Sequence, residues 1–311
     1  MIDVEGPILC AECKKEVKNR AGLHVHVRSH GISLNDYYAK HHPRYNKLTG
    51  RLLPFTNYGD YFSRDFETKF QFNKWCGAIS SNEDKRYVIN KVKKRISDKE
   101  LGYAPFSLEF KHSFLPELKT IRDIFGSYKA FCDEVGVEPL FNRGLPKNFW
   151  DDLPNDLKIL CDTREKKPLK FKGIEVEKLK LDVGDYSLCG NYFNNTFVER
   201  KSGADLVGTL NNFDSNLERF KKELTRVKES GCYLFIVVES NFTKMSRDAA
   251  YQGRKIKVEY LAHTIKELTH EYARCCQFVF ADDRISAADL SARLMYHGPK
   301  VHRTDIQYYL D

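Results

Sequence analysis

Along this 311-residue chain the spacing of apolar residues changes near residue 155, and the change divides the sequence in two. Before that point, Val88, Ile89, Val92 and Ile96 recur at helical spacing while Lys91, Lys94 and Arg95 share another face, which predicts an amphipathic helix with one basic side. The stretch LPELKTIRDIFGSYKAFCDEVGV predicts further short helices, and residues 31 to 81, aromatic and polar without a sustained period, predict loops with short helices. Three prolines and a glycine in VEPLFNRGLPKNFWDDLPND mark the boundary. Beyond it, KILCDT, IEVEKLKL, DYSLCG and NTFVERK read as strands and SGADLVGTL opens a helix. Leu217, Phe220, Leu224 and Val227 form one face of a longer helix closed by Gly231; CYLFIVVES reads as a buried strand. A helix with Val258, Leu261, Ile265, Leu268 and Tyr272 on one face, the strand QFVFA and the helix ISAADLSARLMYH follow. The pattern predicts a mixed α/β domain with helices against a central sheet.

Composition narrows the class. With 41% hydrophobic residues the chain can build at least one full core. No stretch approaches the roughly 20 apolar residues that span a bilayer, and MIDVEGPILC lacks the order of a signal peptide, so the expectation is an intracellular protein with no membrane partner, in host cytoplasm or at the nucleoid. The nine cysteines are odd in number and read as reduced thiols. A formal charge of +8 suits a polyanionic partner, but the excess is spread along the chain and decides little by itself.

The chemistry concentrates at VERKSGAD, residues 198 to 205. On a strand, Glu199 and Lys201 project from one face and Val198 and Arg200 from the other. Thirteen residues separate Asp185 from Glu199, enough for a strand, a turn at GNYFNN and a return, so a hairpin can set the two carboxylates side by side. Two carboxylates beside a lysine suit a hard divalent cation, Mg2+ or Mn2+, and the hydrolysis of a phosphodiester. Asp205 at the following helix start reads either as a further carboxylate of that site or as a complement to the helix dipole.

CDTRE, LDVGDYSL and VERKSGADL together resemble the nuclease domain of XPF-type structure-specific endonucleases, a branch of the restriction-enzyme-like PD-(D/E)XK nucleases. The signature is met by Gly184, Asp185, Glu199, Arg200, Lys201 and Asp205, over about residues 157 to 285. The resemblance implies Asp185 and Glu199 as metal ligands, Lys201 as the catalytic lysine, and Asp162, Arg164, Arg200 and Asp205 as supporting residues. It also brings in a homodimer as an open question, because the family's tandem helix-hairpin-helix module would not fit after Asp282.

Cys10 and Cys13, then His26 twelve residues later and His30 after three more, match tetrahedral zinc spacing and resemble a two-Cys, two-His zinc finger with Val17 and Leu23 as its small core. His24 is a substitute ligand at poorer spacing. The positions such a finger uses to read bases fall on Asn19, Gly22 and Val25, of which only Asn19 makes strong base hydrogen bonds. Phe125, Gly126, Ser127, Tyr128 and Ala130 through Gly136 look like the end of the small helical repeat that accompanies homing endonucleases, against the plainer reading of a helical spacer. His41 and His42 lack the later residues of an HNH nuclease centre.

The expected organisation is α/β: a restriction-endonuclease-like mixed sheet flanked by helices, preceded by a zinc finger and a small helical DNA-binding region. Its parts are a finger at 1–32, an irregular region at 33–81, a helical repeat at 82–142, a linker at 143–156 and the nuclease domain at 157–311. The expected function is a metal-dependent DNA endonuclease of phage or mobile-element, homing-type character. The alternatives are a DNA-binding scaffold that keeps the nuclease fold, and a nuclease acting on RNA or branched DNA.

Overall fold

The computed structural model describes residues 6–98, 100–112, 115–141, 144–211, 215–245 and 258–310. They form two compact units: residues 1–93 with 114–134, and residues 94–113 with 135–311. Among the described residues no helix is long and apolar enough to cross a membrane.

In the first unit, β1 (Ile8–Leu9) and β2 (Glu16–Val17) pair antiparallel ahead of α1 (Arg20–Ser29). The Asn19 side chain caps α1 by accepting the Gly22 N–H at 2.9 Å. α2 (Leu34–His41), α3 (Tyr58–Ser63) and α4 (Lys69–Cys76) supply the short helices of the aromatic region. Leu23 and Val27 of α1 share a core with Tyr37, Tyr38, Leu53 and Tyr61, and Tyr38 stacks flat on Phe55 at 4.0 Å. The aromatic residues that show no period in sequence thus form the packing layer against α1.

α5 (Asn82–Asp98) buries Val88 and Val92, as its spacing requires. Its cations are not a bare face. Lys91 pairs with Asp65 at 3.2 Å, Lys94 with Asp98 at 2.9 Å, and Arg95 with the buried Glu109 at 2.8 Å. The division between units falls inside this helix. α6 (Ser107–His112) belongs to the second unit, where Phe106 and Leu108 join the core and Ser107 bonds Asp305 through its N–H (2.9 Å) and hydroxyl (2.6 Å). α7 (Leu118–Phe125) and most of α8 (Tyr128–Val135) belong to the first. The segment read as one helical repeat is therefore shared between two units.

The second unit is a six-stranded mixed sheet in the order β4-β3-β5-β6-β7-β8, comprising β3 (Lys158–Asp162), β4 (Glu175–Leu179), β5 (Tyr186–Leu188), β6 (Thr196–Lys201), β7 (Tyr233–Val238) and β8 (Cys276–Phe280). β5 runs antiparallel to β3 and β6; the other neighbours are parallel. On one face lie α9 (Gly203–Leu210), α10 (Asn216–Glu229) and α11 (Val258–Glu271); on the other lies α12 (Arg284–His297), and α13 (Ile306–Leu310) follows. Leu234, Ile236 and Val238 of β7 enter the first core, and Tyr233, Phe235 and Val237 the second. Burial on both faces is why this strand reads as an unbroken apolar run. The expected mixed sheet flanked by helices is what the second unit adopts, and the first unit carries a Cys/His cluster.

Candidate active site and metal centre

The antiparallel pairing of β5 with β6, with Tyr186 opposite Val198, sets the register of the site. Just before β5, Asp185 donates its N–H to Val198 O at 2.8 Å and accepts the Arg200 N–H on its carboxylate at 2.8 Å. These two bonds place the Asp185 side chain at the end of β6. Val198 packs into the core under α12, so its neighbours Glu199 and Lys201 face the α9–α10 side. Lys201 Nζ lies 2.6 Å from Glu199 Oε1, with both side chains largely buried, and 5.6 Å from the Phe220 ring of α10. The hairpin expected to join Asp185 and Glu199 is present.

Burial, and then the Glu199 charge, push the Asp185 carboxyl up to about 7. Burial alone would lower Lys201, but the Glu199 charge and hydrogen bond outweigh it and hold the ammonium above its ordinary value. The pair of carboxylates thus carries more negative charge than its one ammonium offsets. An all-oxygen donor set in that state fits a hard divalent cation.

The supporting residues have separate tasks. Asp162, 1% exposed, accepts from Arg164 Nε (2.8 Å), Nη2 (2.9 Å) and backbone N–H (2.7 Å) and from Leu181 N–H (2.7 Å). The Arg164 hydrogen bond, ahead of opposing burial, lowers its carboxyl to about 2. Asp162 is saturated and positions Arg164, whose Nη2 also reaches Leu181 O. On the opposite sheet face Arg200 bridges Glu165 (3.1 Å) and Glu239 (3.4 Å), and Arg284 of α12 pairs with Glu239 and donates to the Lys167 and Pro168 carbonyls. Asp205 closes a capping box with Ser202, accepting its hydroxyl at 2.7 Å, so its exposed carboxylate serves the α9 terminus.

Three carboxylates escape the sequence reading. Glu165 and Glu239 flank Arg200, and each stands at a strand end within a segment already singled out, CDTRE and VVES. Glu223 of α10 is the third: burial first, then the Glu199 charge, raise its carboxyl. Only its place between Phe220 and Leu224 on the apolar stripe sets it apart from the other charges of that helix.

The first unit carries a second cluster. The ligand atoms of Cys10, Cys13, His26 and His30 all lie within 4.8 Å of one another, with Cys10 Sγ 3.7 Å from His30 Nε2 and Cys13 Sγ 3.1 Å from His26 Nε2. These separations fit a tetrahedral ion with bonds of about 2.0–2.3 Å. Burial opposes ionisation of Cys10, but the Cys13 and Glu12 backbone N–H groups outweigh it and lower the thiol, as a metal thiolate needs. His24 lies apart, bonded to the Tyr38 hydroxyl at 3.0 Å; His41 pairs with Glu12.

Residues 157–306 match the family model of the ERCC4 domain, which encloses Asp162, Asp185, Glu199, Lys201 and Glu223. Among solved structures, XPF from Aeropyrum pernix in complex with DNA is 23% identical, with a TM-score of 0.34 over 45% of this chain and 64% of that one. XPF from Aeropyrum pernix without that description is 22% identical, with a TM-score of 0.34 over 44% and 59%. The match spans less than two thirds of either structure. Among curated proteins none matches.

Proposed function

We propose that the second unit is the catalytic domain of a divalent-metal-dependent DNA endonuclease. The observation that carries this reading is the buried Asp185–Glu199 pair beside Lys201, inside a segment that matches the ERCC4 domain. Asp185 and Glu199 would hold Mg2+ or Mn2+, which when bound supplies charge neutralisation at the scissile phosphate and lowers the pKa of attacking water. Lys201, kept as an ammonium by Glu199, is a hydrogen-bond donor rather than a base at neutral pH. Its Nζ can orient the water or meet the charge that grows on the phosphate oxygens. Arg164, side chain 64% exposed and fixed by Asp162, offers a guanidinium at the mouth of the site for a neighbouring phosphate. Arg200 acts through the backbone, because its N–H holds the Asp185 carboxylate while its side chain locks Glu165 and Glu239.

The four-ligand cluster of the first unit is proposed as a structural zinc site. Asn19 spends its side-chain oxygen on the α1 cap, and Val25 is 68% exposed and apolar, so this finger serves to fold the unit and not to read bases.

The test is cleavage of end-labelled duplex, single-stranded, flap and forked DNA, and of RNA, by the zinc-loaded full chain with Mg2+ or with EDTA. Metal-dependent cutting of DNA supports the reading and its substrate ranking separates structure from sequence selection. A folded protein that binds these DNAs and cuts none of them refutes the catalytic reading for DNA.

A further inference from the structure

We propose that Lys166, Lys167, Lys170 and Lys172 form a contact strip for the phosphate backbone of duplex DNA beside the candidate active site; the inference rests on the nuclease reading above. The stretch REKKPLKFK, residues 164 to 172, carries five cations in nine residues and one acid, Glu165. That acid is withdrawn from the surface, since its side chain is 6% exposed and paired with Arg200 at 3.1 Å. All four lysines are exposed, and among the described residues none of them has an ion-pair partner. Asp152 and Asp289 share the groove beside Lys170 and Lys172, but Asp289 is paired with Arg293 at 2.8 Å, so the surface stays strongly positive.

The place of the strip follows from β3. Asp162 ends that strand, donates its N–H to Asp185 O at 2.8 Å and fixes Arg164 at the mouth of the site, so the strip leaves the sheet beside Asp185. Its backbone is pinned. The Leu169 N–H donates to the Tyr186 hydroxyl at 2.8 Å, and the Lys167 and Pro168 carbonyls accept from Arg284 Nη2 at 2.5 and 2.8 Å. Leu169 and Phe171 turn into the core under α12, while Lys170 and Lys172 between and after them stay in water. Like charges held side by side repel, which destabilises the folded chain until a polyanion neutralises them. The pinned backbone presents them to such a partner with little further ordering. Phe171, the one aromatic residue of the stretch, is buried, so no face is offered on which an unpaired base could stack. The chemistry left is contact with phosphates, without reading of bases.

The experiment is fluorescence anisotropy of a short labelled duplex with the zinc-loaded full chain, without Mg2+, at salt concentrations between about 50 and 200 mM. Replacing all four lysines by glutamine should flatten the slope of log affinity against log salt by about 3–4, at about 0.9 per phosphate contact, and replacing either neighbouring pair should flatten it by about 2. Replacing all four by arginine should keep the wild-type slope. Lys228→Gln, an exposed position shortly before β7 at the end of that strand away from Lys201, should match wild type. With Mg2+ and saturating DNA, single-turnover cleavage by the fourfold glutamine variant should equal that of wild type, and its unfolding midpoint at low salt should equal or exceed the wild-type value. If that variant keeps wild-type affinity and slope while Glu199→Gln loses cleavage, this inference falls and the nuclease reading stands. If the slope flattens as expected but wild type cuts no DNA with Mg2+, the nuclease reading falls and the strip stands as a DNA-binding surface. Wild type that does not bind the duplex overturns the strip whatever it cuts.

Discussion

Replacing Gly184 by alanine tests why a glycine precedes Asp185. Gly184 has φ of +63°, and a Cβ built there would lie 2.9 Å from Val198 O and 3.1 Å from Leu234 Cδ1. The left-handed backbone costs a non-glycine residue about 1–2 kcal/mol. Contact with a backbone carbonyl adds about 1–3 kcal/mol of overpacking, because β6 must shift to relieve it. Gly190, with φ of +59° and nothing within 4 Å of its would-be Cβ, meets only the first cost. Urea unfolding of Gly184→Ala should therefore show a loss of about 2–5 kcal/mol, against about 1–2 kcal/mol for Gly190→Ala, with unchanged m values. Val198 O is also the acceptor of the Asp185 N–H, so the shift displaces the Asp185 carboxylate from its partner on β6. Cleavage by Gly184→Ala should fall below that of Gly190→Ala even where both are fully folded. Equal destabilisation and equal cleavage in the two variants would refute the argument.

Other consequences follow from the same network. Asp185→Asn should raise the stability of the metal-free protein near neutral pH in a thermal melt, because it removes a buried charge that Glu199 repels while an amide oxygen still accepts the Arg200 N–H. The folded-state pKa of Asp185 lies above its unfolded value, so the folded state binds the extra proton between about pH 4 and 7 and metal-free stability falls as pH rises through that window. Stabilisation by saturating Mg2+ should therefore grow over the same window, and a Mg2+-induced shift in melting temperature independent of pH would contradict this. Arg200→Met leaves Glu165 and Glu239 buried with a lost partner, and chemical denaturation should register about 3–5 kcal/mol of destabilisation. Cys10→Ser should abolish stoichiometric zinc in atomic absorption and lower the protection of α1 and α2 amides in hydrogen exchange, while leaving β7 protected.

What the sequence discloses here depends on the range of the interaction. The alternation within VERK assigns faces correctly, since Glu199 and Lys201 meet each other while Arg200 turns to Glu165 and Glu239. CYLFIVVES discloses a strand buried on both sides because its run Tyr233–Val238 is apolar without a break. The carboxylates around Arg200 are hidden because their meeting requires β3, β6 and β7 to be brought together, and no local pattern encodes that strand order. The partners of the α5 cations are hidden for the same reason: Asp65 and Glu109, which engage Lys91 and Arg95, are distant in sequence. Asp205 is a local case, since a serine three residues before an acid at a helix start already spells a capping box. Glu223 stands at the border of an apolar stripe, where periodicity does not tell a site residue from a solvated one.

The most direct test of the central claim is single-turnover cleavage of a Mg2+-supplied DNA substrate by wild type, Glu199→Gln and Asp185→Asn, with DNA affinity measured in parallel. The account predicts that both variants bind DNA like wild type and lose cleavage by roughly a thousandfold or more, the scale expected when a group that acts on the transition state is removed. Cleavage within about tenfold of wild type in either variant would contradict a hydrolytic centre at Asp185 and Glu199.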